Sequence, residues 1–154
     1  MKIAGVDPTT VPSEHILVLP RGNDQTIVFR ATGLESMDDF YRLCPIPEPP
    51  TMLKGGRSVP DTENKDYQAA IESHANKREA YLVVRSLEPS QIEWDTVKLE
   101  KPSTWLNWEA DLKTAKFTVI EIRRIHRLVL EANCLDEAKL EEARRLFLLG
   151  MQTA

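Results

Sequence analysis

Three histidines (His15, His74, His126) and two cysteines (Cys44, Cys134) are the residues of this chain best suited to metal binding or nucleophilic catalysis. A zinc site draws its ligands from short, recognisable spacings. No histidine here has another His or a Cys three or four residues away, so the pattern does not build one. His126 and Cys134 would be separated by about 12 Å of helix rise. A thiolate–imidazole pair between them would therefore need help from elsewhere in the fold. Cys134 reads instead as a small packed apolar residue. Asp38-Asp39 and Glu141-Glu142 are adjacent carboxylates, but neighbours on a helix point apart and cannot share a proton. Gly55-Gly56 lacks the Gly-Lys-Ser or Gly-Lys-Thr that completes a phosphate loop. These residues identify no catalytic group, no metal ligand set and no cofactor site.

Binding chemistry is better represented. Arg123, Arg124 and Arg127 form the sharpest positive patch, suited to an acidic protein surface or to phosphates. The plainer reading is a solvated helix face neutralised by Glu121 and Glu131. Trp105 and Trp108 lie three residues apart and share a helix face with Leu112. Either would be a strong interface anchor if exposed, because desolvated Trp dominates binding hot spots. The commoner fate of such residues is the core. Arg123, Arg124, Arg127, Trp105 and Trp108 are the candidate partner-binding residues.

These residues belong to the stretch with the clearest local signals, Pro102 to Gly150. Pro102 suits a first helical turn, where its missing N–H would have no partner. Thr118-Val119-Ile120-Glu121 is a capping box. Ile122, Ile125, Val129 and Ala132 then follow at helical spacing, with Asn133 as an expected left-handed stop. Asp136 caps a last helix, with Ala138, Leu140, Ala143, Leu146 and Phe147 as its expected buried side and Gly150 as its end. Glu141 and Arg145 are spaced for a favourable ion pair. The short break between the two helices predicts an antiparallel helical hairpin.

Upstream, residues 1–13 read as an extended arm. Ile16 to Leu19 and Thr26 to Phe29 flank Gly22-Asn23-Asp24, a β-hairpin signal within 14–32. Ser90 to Val97 alternates apolar and polar residues and predicts a third strand. Ser36 to Leu43 reads as a short helix. Prolines at 45, 47, 49 and 50, followed by Lys54-Gly55-Gly56-Arg57, make 45–61 a proline-rich connector with a flexible loop, or alternatively a partner-docking segment. Asp66 to Leu87 is the longest helix, stopped by Glu88-Pro89.

The 154 residues, 42% hydrophobic and 29% charged, suit one globular domain over 14–150, with its helical part at 62–150. The expected class is α+β, mainly α-helical, with an N-terminal β-hairpin and a C-terminal helical hairpin. A net charge of -4 argues against nucleic acid as the default partner. No apolar run is long enough for a membrane span, and the N-terminal residues lack the apolar core of a signal peptide.

Several stretches carry a resemblance. They are Pro102-Ser103-Thr104-Trp105-Leu106-Asn107-Trp108-Glu109, Glu131 to Glu137 with Glu142 to Leu148, Ser86-Leu87 with Ile92-Glu93-Trp94, and Leu43-Cys44-Pro45-Ile46-Pro47. Across about residues 14–149 the chain resembles small proteins encoded among the tail genes of tailed bacteriophages, labelled tail assembly chaperones. The resemblance implies a non-enzymatic protein of the host cytoplasm that binds the tape measure protein and tail tube protein during assembly. Many such proteins also exist in a longer frameshifted form, and this chain is similar in size to the shorter one. A homo-oligomer is compatible with it. The alternative expectation is a structural component of the particle, at the tail or its connector.

Overall fold

The computed structural model describes residues 1–153. Its class is the expected one: α+β, mainly helical, with an N-terminal β-hairpin and helices at the C-terminal end. The chain divides into two compact units. The first comprises Met1–Leu34, Ser86–Ile92 and the chain from Lys116 onward; the second comprises Glu35–Arg85 and Glu93–Ala115.

The first unit is built on β1 (His15–Pro20) and β2 (Thr26–Ala31), paired antiparallel with Val18 opposite Val28. Asn23 and Asp24 take the left-handed conformations of the turn. Alternation along both strands gives two faces. Leu19, Phe29 and Ala31 are buried, whereas Ile16, Val18 and Val28 on the other face are exposed. Two strands alone are marginal in water. Cover for the buried face comes from α4 (Val119–Ala132), which packs on both strands.

The expected third strand does not form. Pro89 and Ser90 lie in a short 3-10 turn, and Gln91 is left-handed, which breaks the extended path. The Ser90 hydroxyl serves the open edge of β2 in its place. It accepts from the Arg30 N–H at 2.7 Å and donates to the Arg30 carbonyl at 2.6 Å. Nor is the N-terminal arm simply extended. Ile3 and Val6 bridge across a tight turn, and Asp7 caps a 3-10 turn at Pro8–Thr10.

Asn133 closes the first unit. Its side-chain oxygen accepts from the Leu34 N–H at 2.9 Å, and its amide donates to Ser86 Oγ and to the Val129 carbonyl, each at 2.9 Å. The Ser86 carbonyl in turn accepts from the Thr32 N–H. With its side chain so engaged, Asn133 is not the left-handed stop expected of it; Cys134 is, at φ 55°.

In the second unit, α1 (Asp38–Leu43) buries Phe40, whose ring lies within 6 Å of the rings of Tyr41, His74, Tyr81 and Trp105. The long α2 (Lys65–Ser86) is capped by the Asn64 side chain, which accepts from the Tyr67 N–H. Its burial begins only near Ala80; Ala70, Ile71, Ala75 and Arg78 are exposed. The proline-rich connector contains a second hairpin, β3 (Thr51–Lys54) with β4 (Arg57–Pro60). Gly55 and Gly56, at φ 60° and 79°, make its two-residue turn, a conformation that favours glycine at both positions. The expected flexible loop is thus a tight turn.

Pro102–Asn107 is a 3-10 helix that leads into α3 (Trp108–Thr114). From α3, the buried Asp111 carboxylate accepts from Thr96 N–H (2.9 Å), Thr96 Oγ1 (2.6 Å) and Val97 N–H (3.3 Å). These bonds hold as an irregular loop a segment whose sequence alternates like a strand. Burial pushes the Asp111 carboxyl up, but the bonds from Thr96, Val97 and the Asp95 backbone outweigh it and leave the carboxyl below its ordinary range.

Two expectations follow. A Cβ at Gly33 would lie 2.5 Å from the Ala132 carbonyl oxygen. Gly33→Ala therefore forces backbone apart and should cost about 2 kcal/mol in urea denaturation, in the range of overpacked sites. Asp111 has a depressed folded-state pKa. Its contribution is full above the unfolded carboxylate value near ~4 and is lost as pH falls through the folded value. Asp111→Asn should lower stability at pH 7 by about 2 kcal/mol and flatten the acid limb of the stability profile, measured by denaturation from pH 7 to pH 2.

Candidate interaction surface

The arginine cluster is held in place by the way α4 is fastened. Its capping box forms as read from the sequence. Thr118 Oγ1 accepts from the Glu121 N–H at 3.2 Å, and Glu121 Oε2 accepts from the Thr118 N–H at 3.0 Å. A partner 100 positions away in sequence completes the arrangement. Arg21, in the β1–β2 turn, donates from Nη1 to Glu121 Oε1 at 2.8 Å and from Nη2 to Oε2 at 3.2 Å. Its guanidinium lies 5.2 Å from the centre of the Phe117 ring, which meets Phe29 edge-on. The Thr118 N–H is the chief reason that the Glu121 carboxyl lies below its ordinary range; partial burial opposes it, and Arg21 adds to it by hydrogen bond and charge.

Past its first turn, α4 has two unlike sides. Ile122, Ile125, Leu128 and Val129 are buried. Arg123, Arg124 and Arg127 are exposed, and none of the three makes an ion pair among the described residues. Glu121, expected to neutralise them, is engaged by Arg21. The result is a row of free guanidinium groups on one helix, able to meet carboxylates or phosphates with planar two-point geometry.

The two tryptophans lie in the second unit and are not available as anchors. Trp105 is 0% exposed and Trp108 7%. Trp105 packs at a tilt against Phe40 and Tyr81, and its indole N–H donates to the Leu99 carbonyl at 3.0 Å. The 3-10 geometry after Pro102 turns Trp105 inward and leaves Leu106 half exposed.

The largest departure from expectation is α5 (Glu137–Thr153). It starts where expected, with Asp136 accepting from the Lys139 N–H, but it continues past Gly150. Every described side chain from Glu137 to Met151 is exposed. Ala138, Leu140, Ala143, Leu146 and Phe147, expected on a buried side, are not covered by the rest of the described chain; Phe147 is 67% exposed. Leu148, Leu149 and Met151 are exposed as well. A signal was present in the sequence: four consecutive apolar residues, 146–149, run around the helix and cannot all face one side. Glu141 pairs with Arg144, not with the expected Arg145.

The potential reactive groups are dispersed. Among the described residues no group of three or more His, Cys, Asp or Glu is placed to hold a metal ion. His74 Nε2 lies 3.1 Å from the Cys44 carbonyl oxygen within the second unit. Cys134, expected to be packed, is exposed, because it occupies the left-handed position just beyond α4. No described helix is long and apolar enough to cross a membrane. In comparison with known proteins, no family model, no curated protein and no solved structure matches this chain.

Removing the cap tests how α4 is held. Thr118→Ala should lower stability by about 1 kcal/mol by urea denaturation, with little change in total helicity by circular dichroism.

Proposed function

We propose that this protein is a non-enzymatic tail assembly chaperone of a tailed bacteriophage. It works in the host cytoplasm and holds the tape measure protein and the tail tube protein while the tail is built. The observation that carries this reading is the exposed, unpaired row Arg123, Arg124 and Arg127, presented on a helix whose other side is buried. The likeness at residues 102–109, 131–137 and 142–148 to tail-gene products supports the choice of client.

A holding protein must bind firmly enough to shield its client and weakly enough to release it. Exposed ion pairs suit that need, since each contributes roughly 0.2–1 kcal/mol and is screened by salt. The fitting client feature is an acidic stripe along a helix, laid against the arginine row. Electrostatic steering speeds such an encounter.

A second reading is favoured by one observation. Ile3, Val6 and Val11 in the N-terminal arm are exposed, as suits an arm that grips a neighbouring subunit in the particle. Quantitative mass spectrometry of purified virions separates the two readings. A fixed number of copies per particle supports the structural component, and absence supports the chaperone.

The chaperone reading is tested by co-expression with each tail protein and pull-down. Wild type should capture at least one of them; capture of neither would sink the reading. Arg123→Glu, Arg124→Glu and Arg127→Glu together should reduce capture at least tenfold with an unchanged circular dichroism spectrum. Undiminished capture by this variant would show that the arginine row is only solvated surface.

A further inference from the structure

We propose that α5 is a self-association element that pairs antiparallel with α5 of a second copy of this chain. The pairing goes beyond the client-binding reading and does not depend on it, because the arginine row lies on α4.

The first observation is exposure. A helix of 17 residues with no covered side chain among those described leaves its apolar surface to water. Most helical stability in proteins comes from packing of an apolar face rather than from helix propensity. Something should therefore cover α5, and no other segment of the described chain does. The second observation is pattern. Leu140, Ala143, Phe147 and Met151 recur at three- and four-residue steps and form one stripe, with Leu146 beside it. Such spacing suits a partner helix.

The third observation identifies the occupant. The charges of α5 are segregated along its length. Glu137, Glu141 and Glu142 outweigh Lys139 in the N-terminal half, whereas Arg144 and Arg145 follow with no Asp or Glu in the rest of α5. A parallel pair of such helices would set like halves side by side. An antiparallel pair sets each acidic half against its partner's basic half, and it also opposes the two helix dipoles. With a two-fold axis near Ala143, Leu140 meets the partner's Phe147. Glu141 and Arg144, which flank the same side of the stripe, then meet their opposites across the axis. Within one chain these two already lie 3.6 Å apart, so the two copies would form a four-charge cluster. The small Ala143 at the crossing allows close approach. A contact only about 25 Å long is smaller than a standard interface, so the association should be weak, with a dissociation constant in the micromolar range.

Sedimentation equilibrium of the full chain over a wide concentration range tests this. Wild type should pass from monomer to dimer as concentration rises. Phe147→Lys should raise the dissociation constant at least tenfold, and because the residue is exposed it should leave the circular dichroism spectrum unchanged. Glu141→Arg should weaken the dimer, and Glu141→Arg with Arg144→Glu should restore it, since an antiparallel pair tolerates exchange of the two charges. A chain that stays monomeric at several hundred micromolar would overturn the proposal. So would association indifferent to Phe147→Lys, or a double variant no better than the single one. Client capture by the monomeric Phe147→Lys variant reports separately on the arginine row.

Discussion

The first unit depends on one act of burial: the apolar side of α4 covering the inner face of a two-stranded sheet. Leu19, Phe29 and Ala31 on the sheet and Ile122, Ile125, Leu128 and Val129 on the helix are removed from water together. Each large side chain contributes about 2 kcal/mol of transfer free energy. Without the helix the hairpin would expose apolar residues on both faces. Without the sheet the helix would have only its cap. Polar fastenings at the two ends of α4 set where the burial occurs. Arg21 grips Glu121 at one end, and Asn133 bonds Ser86 and Leu34 at the other.

This arrangement determines the direction of the arginines. With one side of α4 committed to the sheet, Arg123, Arg124 and Arg127 must face solvent, and the carboxylate closest in sequence is already engaged. The second unit is organised differently, around aromatic packing at Phe40 and a buried carboxylate at Asp111. Asp111 does for the 95–97 loop what a neighbouring strand would do for a strand, because it takes up the backbone donors. Both units thus use side chains to satisfy backbone groups that a larger sheet would have paired.

Polar capture and apolar exposure are divided between successive helices. On α4 the free charges are exposed and the apolar residues are covered. On α5 the apolar residues are themselves exposed, and the charges are sorted along the length. Two surfaces of unlike chemistry, one cationic and one apolar with self-complementary charge, therefore follow each other in the chain.

The features legible in the residues were those whose partners lie within a few positions. The Thr118–Glu121 box, the Asp136 cap, the β1–β2 hairpin and the long α2 all depend on local spacing, and they form as read. Gly55-Gly56 between two short runs was an equally local hairpin signal, and the neighbouring prolines obscured it. What could not be read locally was the outcome of competition between distant segments. Ser90 and Asp111 claimed the backbone groups that a third strand would have needed. Asn133 spent its side chain on Ser86 and Leu34, so Cys134 took the left-handed turn. Trp105 and Trp108 were drawn inside. The apolar side of α5 was expected to be covered and stands in water. Helical spacing tells which residues share a face. Whether that face is buried depends on segments far away in sequence, because burial is a property of the packed chain and not of the helix.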